Sequence, residues 1–347
     1  MYTLKQIPAD FIVEEIYEHN LKNNGKHIVY EIKKTNTSHF KMLSILSDKL
    51  SIPVRNIGYA GTKDKSAITT QCISIFGSTK EKIDRLQIEG IELKYLGCLN
   101  EPISLGNLKQ NKFTITIRNI KNKPNKIDFF VNYFDEQRFG HNNVNQDIGK
   151  SIIKKQFKEA IELIINAESE NNNQTSSKIN EHLEKNKNDY VGALKILPKT
   201  LLMLYLHSYQ SMLWNKTANQ YIKQFKHKSI STNFGDISLP QENIENKEIL
   251  NLEIPMIGFG LETNNPQIAK IIDEILKEEK ITPRDFIIRQ LANISCEGDN
   301  RKLFVQIYDL KIDELLDDEL NKDMKKCTIT FTLDKGCYAT MAIRHMI

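Results

Sequence analysis

Strand-like spacing dominates both ends of the chain, and helical spacing dominates its middle. HIVYEIKK at His27–Lys34 is rich in β-branched and aromatic residues and predicts a strand. Phe40, Leu43, Leu46 and Leu50 then recur every three or four positions behind a capping Thr37 or Ser38, the spacing of an amphipathic helix. AITTQCISIF at Ala67–Phe76 predicts a second strand. In KFTITIRNI, Phe113, Ile115 and Ile117 alternate with Thr114, Thr116 and Arg118, so one face of that strand is buried and the other wet.

From about Gly149 the period lengthens. SIIKKQFKEAIELIINA at Ser151–Ala167 reads as helix, and ESENNNQTSSKINEHLEKNKND, almost without apolar residues, reads as a solvated loop. A long helix is predicted over Lys199–Lys226, with Leu202, Tyr205, Leu206, Tyr209 and Leu213 on one face. Thr282 followed by Pro283 predicts another helix start. Strand patterns return in KLFVQIYDL and TITFTLDKG. These patterns predict an α+β fold in which a discontinuous sheet domain is interrupted by an inserted, mainly helical domain. The expected boundaries are 1–150, 151–297 and 298–347.

Composition narrows the class only slightly. The 347 residues include 48 Lys and Arg against 44 Asp and Glu, a net charge of +4 compatible with an anionic partner. Basic residues concentrate between Lys26 and Lys65, where eight Lys and Arg face three Asp and Glu. That excess suits a phosphate backbone and equally an ordinary solvated face. The five cysteines are scattered, which points away from a disulfide framework or a zinc site and towards a reducing cytoplasm. LLMLYL, the longest purely apolar run, is far too short to span a bilayer, so no membrane association is expected.

Two stretches carry candidate chemistry. In GYAGTKDKSAITTQ, Gly58–Gln71, one carboxylate, Asp64, stands between Lys63 and Lys65. A phosphate-binding loop needs Gly-Lys-Ser/Thr, and here Thr62 separates Gly61 from Lys63, so that pattern fails. Asp64 suits a tight turn. The same residue type also serves as a nucleophile when a nearby ammonium keeps it ionised. Flanking side chains of an extended segment point apart, so the cation is as readily supplied from elsewhere, with Lys5 a candidate. The second stretch, VNYFDEQRFG, places Asn132, Phe134 and Arg138 within a few residues. Amide, ring and guanidinium suit a nucleobase and its phosphate, while a strand end with core aromatics explains the same residues.

Taken together with PADFIVEE, YLHSYQSMLWN and KGCYATMAIRH, these two stretches resemble the TruD family of tRNA pseudouridine synthases, from Lys5 to about His345. The resemblance implies isomerisation of uridine 13 in the D-arm of tRNA to pseudouridine, without metal, nucleotide or organic cofactor and with no obligate protein partner. It implies that Asp64 is the nucleophile, that Lys5 pairs with it, and that Phe11, Asn132 and Tyr338 line the nucleotide pocket. Phe134 matches the aromatic that packs against uracil, and Arg138 stands beside it as a phosphate or carboxylate partner. The helical middle resembles the family's inserted domain, with Lys199 and Leu202 standing where arginines are expected. His207 is expected to be a satisfied, partly buried histidine, and Glu14 and Glu15 to be structural. The alternatives are a tRNA-binding protein without catalysis and a nucleoside glycosidase pairing Asp64 with Glu14 or Glu15.

Overall fold

The computed structural model describes residues 2–18, 20–169, 174–242 and 244–347. They form two compact units, residues 1–130 with 306–347 and residues 131–305, so the first unit is discontinuous in sequence.

The first unit is built on a nine-stranded mixed sheet. Its main path runs Tyr308–Ile312, Lys325–Asp334, Gln110–Ile120, Phe11–Ile16, Ile68–Phe76, His27–Thr35 and Ile91–Leu99. Leu316–Asp317 adds to Lys325–Asp334, and Ile57–Tyr59 to Ile68–Phe76. Phe11–Ile16 is parallel to Ile68–Phe76 and antiparallel to Gln110–Ile120; the other pairs are antiparallel. The predicted alternation is realised, with Phe113, Ile115 and Ile117 buried and Phe113 stacked on Phe331 at 5.5 Å between ring centroids. Helix His39–Leu50, capped by the Ser38 side chain, lays Met42, Leu43, Leu46 and Leu50 on Tyr30, Ile32, Ile73 and Ile75.

The second unit is arranged around helix Lys199–Ile222, which is buried on most of its circumference. Helix Val144–Ile153 crosses it so closely that a Cβ at Gly149 would stand 2.1 Å from the Tyr205 carbonyl oxygen, which demands glycine there. Its strands include a hairpin, His227–Thr232 with Gly235–Pro240, and the short antiparallel pair Glu253–Pro255 with Asn300–Lys302, while Phe129–Val131 pairs with Phe304–Gln306 where the chain passes between the two units.

Four local expectations are corrected. The helix over 151–167 is two helices, Val144–Ile153 and Phe157–Ser169, broken where Lys155 turns left-handed at φ 60°. The polar run is not all loop: Gln174–Lys185 is helical, because burying Ile179 against neighbouring helices is enough to hold it. Residues 170–173 of that run lie outside the described residues. The start at Thr282–Pro283 opens only the 3-10 turn Pro283–Phe286, in which the Asp285 carboxylate accepts the Thr282 N–H at 2.8 Å. KLFVQIYDL is two short strands, Phe304–Gln306 and Tyr308–Ile312.

Candidate active site

The loop carrying Asp64 joins Ile57–Tyr59 to Ile68–Phe76, and its glycines differ in purpose. A Cβ at Gly58 would fall 2.4 Å from the Ile103 carbonyl oxygen and 2.5 Å from Ser74 Oγ, so only glycine passes. Beyond it, buried side chains hold the loop from below. Gln71 Nε2 donates to the Gly61 carbonyl at 3.3 Å, and Lys34 Nζ donates to the Asp64 carbonyl at 2.5 Å. The two flanking lysines face different surroundings. Lys63 is buried 3.5 Å from Glu15 Oε1, and Lys65 is exposed. Burial lowers the Lys63 pKa against the pull of Glu15.

The ammonium that meets Asp64 is that of Lys5, with Nζ 2.9 Å from Oδ2. Lys5 has a left-handed backbone at φ 57° and is bracketed by two anchors. On one side Thr3 and Arg118 exchange backbone hydrogen bonds of 2.9 and 3.0 Å. On the other, Asp10 accepts the Ile7 N–H at 3.0 Å and is itself held by Arg118 Nε at 2.8 Å. Arg118 also bonds Asp318 at 2.7 Å and Glu319 at 3.2 Å, a buried network that accounts for the PAD turn structurally. The turn delivers Phe11 to the start of its strand, where Lys5 Nζ stands 4.1 Å above the ring centroid and Phe113 meets the ring edge-on. Asp64 keeps 22% of its side chain exposed, so the carboxylate is reachable from solvent. Tyr338, in the same unit, is half-buried at the N-terminus of helix Ala339–Met346.

In the second unit, Asn132, Phe134 and Arg138 cluster around a residue that the sequence reading did not single out, Arg301. Its guanidinium lies 3.9 Å from the Phe134 ring centroid, and it donates to the Asn132 carbonyl at 3.0 Å and to Asn132 Oδ1 at 2.7 Å. Asn132 Nδ2 in turn donates to the Lys302 carbonyl at 3.2 Å, which fixes the amide's orientation. Strand pairing places Arg301 opposite Ile254, whose carbonyl accepts Trp214 Nε1–H, and Trp214 meets Phe134 edge-on at 5.7 Å. Asn215 clamps Phe134 by accepting its N–H at 2.9 Å and donating to its carbonyl at 2.8 Å. YLHSYQSMLWN therefore supports Phe134 from the central helix.

Phe134, Arg138, His207 and Arg301 contribute to the wall of a cavity of about 420 Å³, large enough for a nucleotide. Burial and the neighbouring Arg138 lower the His207 pKa, so the ring is neutral at pH 7. The competing carboxylates are engaged elsewhere, Glu14 with Lys112 at 3.1 Å and Glu15 with Lys63 and the Cys72 N–H.

The only sequence cue for Lys34 is period two: Tyr30, Ile32 and Lys34 share a strand face, and all three are fully buried. No comparable cue exists for Arg301, because its place depends on pairing with a distant strand.

The family model described as tRNA pseudouridine synthase D (TruD) matches residues 2–187 and 177–346. A protein of Nanoarchaeum equitans described as a probable tRNA pseudouridine synthase D is 32% identical, with 99% of this chain and 98% of that protein covered. The tRNA pseudouridine synthase D of Aquifex aeolicus is 26% identical over 99% of this chain and 97% of its own. A solved TruD structure from Methanosarcina mazei superimposes with a TM-score of 0.72 at 27% identity, covering 99% of this chain and 92% of that one. With its family model matched along nearly the whole length and its fold shared with a solved member, the chain belongs to the tRNA pseudouridine synthase D family.

Proposed function

We propose that the protein isomerises uridine 13 in the D-arm of tRNA to pseudouridine, with Asp64 as the nucleophile. The observation that carries this reading is the Lys5–Asp64 ion pair on a loop braced by Lys34 and Gln71. A carboxylate spent on turn formation does not call for a cation at 2.9 Å and a cationic scaffold beneath it. In the reaction the N1–C1′ bond breaks, the uracil turns and C5 bonds to C1′. C5 loses a proton and N1 gains one, so atoms and electrons balance within the nucleotide. Asp64 acts on C1′, on C6 or first as a base on the sugar; each route needs the ionised carboxylate that Lys5 favours.

The base must leave the helix before it can be detached and turned. Phe11 and Tyr338 supply aromatic surface for it in the sheet unit. Within the second unit, Phe134 offers an aromatic ring, Asn132 an amide and Arg138 a guanidinium for contact with RNA. Residues 151–297 serve as the inserted RNA-binding domain, and the protein works in the cytoplasm. Among the described residues no helix is long and apolar enough to cross a membrane. A glycosidase would need a second carboxylate at the bond, and the engagements of Glu14 and Glu15 do not favour it.

The test is incubation with unmodified tRNA, followed by carbodiimide-dependent primer extension, beside Asp64→Asn. The expected result is one stop in the D-arm with wild type and none with the variant. Full turnover by Asp64→Asn would remove the carboxylate from the mechanism, and tRNA binding without a stop would favour the non-catalytic reading.

A further inference from the structure

Lys34 is fully buried, yet its recorded bonds are all to backbone carbonyls: Asp64 at 2.5 Å and Thr37 at 2.8 Å. A buried ammonium without a hydrogen-bonded carboxylate is costly, and a methionine of similar length would fill the same space without that cost. Among the described residues, the acid that attracts Lys34 electrostatically is Asp64 itself. Lys34 ends the face formed with Tyr30 and Ile32, so the strand aims the ammonium at the underside of the Asp64 loop while the helix that starts at His39 covers it.

We propose that Lys34 is a positioning residue for Asp64: its ammonium grips the Asp64 backbone carbonyl, sets the direction of the carboxylate towards Lys5, and adds a second positive charge beneath the loop. The inference rests on the reading of Asp64 as nucleophile and extends it to a residue beneath the loop. The two cations divide the work. Lys5, partly exposed, touches the carboxylate, whereas Lys34, inaccessible to RNA, acts only through the backbone and its field.

The charged groups around Lys34 are the Asp64 carboxylate and the Lys63 ammonium on the loop, with His39 on the covering helix. Burial pushes His39 down to about 4, so it is neutral when the enzyme works. Lys63 is partly compensated by Glu15. Burial pushes Lys34 down to about 8, against the opposing pull of Asp64 and with the help of Lys63. A lysine so placed discharges in mildly alkaline solution, so the bracing charge is present at neutral pH and fades above about 8.

The experiment compares wild type, Lys34→Met and Lys34→Gln in single-turnover modification of tRNA from pH 5 to 9, with tRNA affinity and thermal unfolding measured alongside. The carboxyl resonance of Asp64 is followed by carbon-13 NMR at pH 7 in each protein. Loss of the grip and charge in Lys34→Met lowers the rate at pH 7 by about tenfold or more, with affinity within about twofold, because misaimed reacting groups lose rate rather than binding. The fall in rate above about pH 8, present in wild type as Lys34 discharges, is absent from Lys34→Met. Lys34→Gln, which keeps a donor without the charge, recovers part of the rate but not the limb. An unchanged alkaline limb in folded Lys34→Met would overturn the inference, as would a rate lost only in proportion to folded protein. Absence of product from wild type would instead remove the synthase reading, and the Asp64 carboxyl resonance, moved in Lys34→Met if the grip is real and unmoved if it is not, would still decide the role of Lys34.

Discussion

At the scale of single residues, the molecule sets cations beside groups that must be aimed. Lys5 meets Asp64, and Arg301 meets Asn132 and Phe134. Arg301→Met keeps bulk over the Phe134 ring but releases the Asn132 amide. Modification rate should fall about tenfold or more, while stability falls by about 1–3 kcal/mol, the usual cost of an unpartnered buried polar group. Urea unfolding and single-turnover rates would separate the two effects, and a rate that follows stability alone would return Arg301 to a packing role. Phe134→Leu preserves volume and should cost under about 1.5 kcal/mol. With its stacking ring gone, it should nonetheless lose most of its rate with tRNA, and retained rate would place Phe134 in the core alone. Asp64 and Phe134 were visible in the sequence as types in a motif. Lys34 was concealed by its equally basic neighbour Lys33, which points the other way and is exposed.

Among the elements, the close pair is Val144–Ile153 on Lys199–Ile222. Gly149→Ala places a methyl group against the Tyr205 backbone, and overpacking of this kind costs about 1–3 kcal/mol. A lowered unfolding midpoint would show it; an unchanged midpoint would mean that the helices separate freely. Strand alternation and the Ser38 cap were readable because each is a local rule, satisfied within a few residues. The helix Gln174–Lys185 was not, since its polar sequence is helical only where neighbouring helices bury Ile179. The split of the helical stretch at Lys155 escaped notice for a related reason: a lysine at φ 60° has no strong sequence signature.

Across the whole molecule, both units contain acids held far below their ordinary pKa, Asp318 and Glu319 in the first and Glu279 in the second. Burial would raise Asp318, yet bonds from the Asn119 and Leu320 N–H groups, Asn321 and Arg118 bring it down to about 2. Glu279 is likewise buried, and Lys150 and Lys216 draw it down to about 2. A carboxylate whose folded pKa is lowered gives stability that is complete above its unfolded value and disappears as pH falls through the folded one. Thermal stability should therefore decline from about pH 5 to pH 2, and Glu279→Gln, less stable at pH 7, should show a shallower decline. A flat profile for wild type would contradict these shifts. The units divide at 130/131 and 305/306, whereas the pattern of the sequence changes at about 150. Helical periodicity marks where a kind of element begins, and a compact unit begins wherever its first packed residue lies.

The sequence by itself determined the α+β class, the principal strands, the first helix with its cap and the family, because periodicity and motif order are properties of neighbouring residues. The resemblance also named Lys5 for Asp64, 59 residues away, but only the tertiary structure decided which guanidinium covers Phe134. The same holds for the carbonyl that Lys34 grips. Those partners are brought together by strand register and loop closure, and the energy that selects among them belongs to the folded chain, where a buried charge must find its contacts or stay costly.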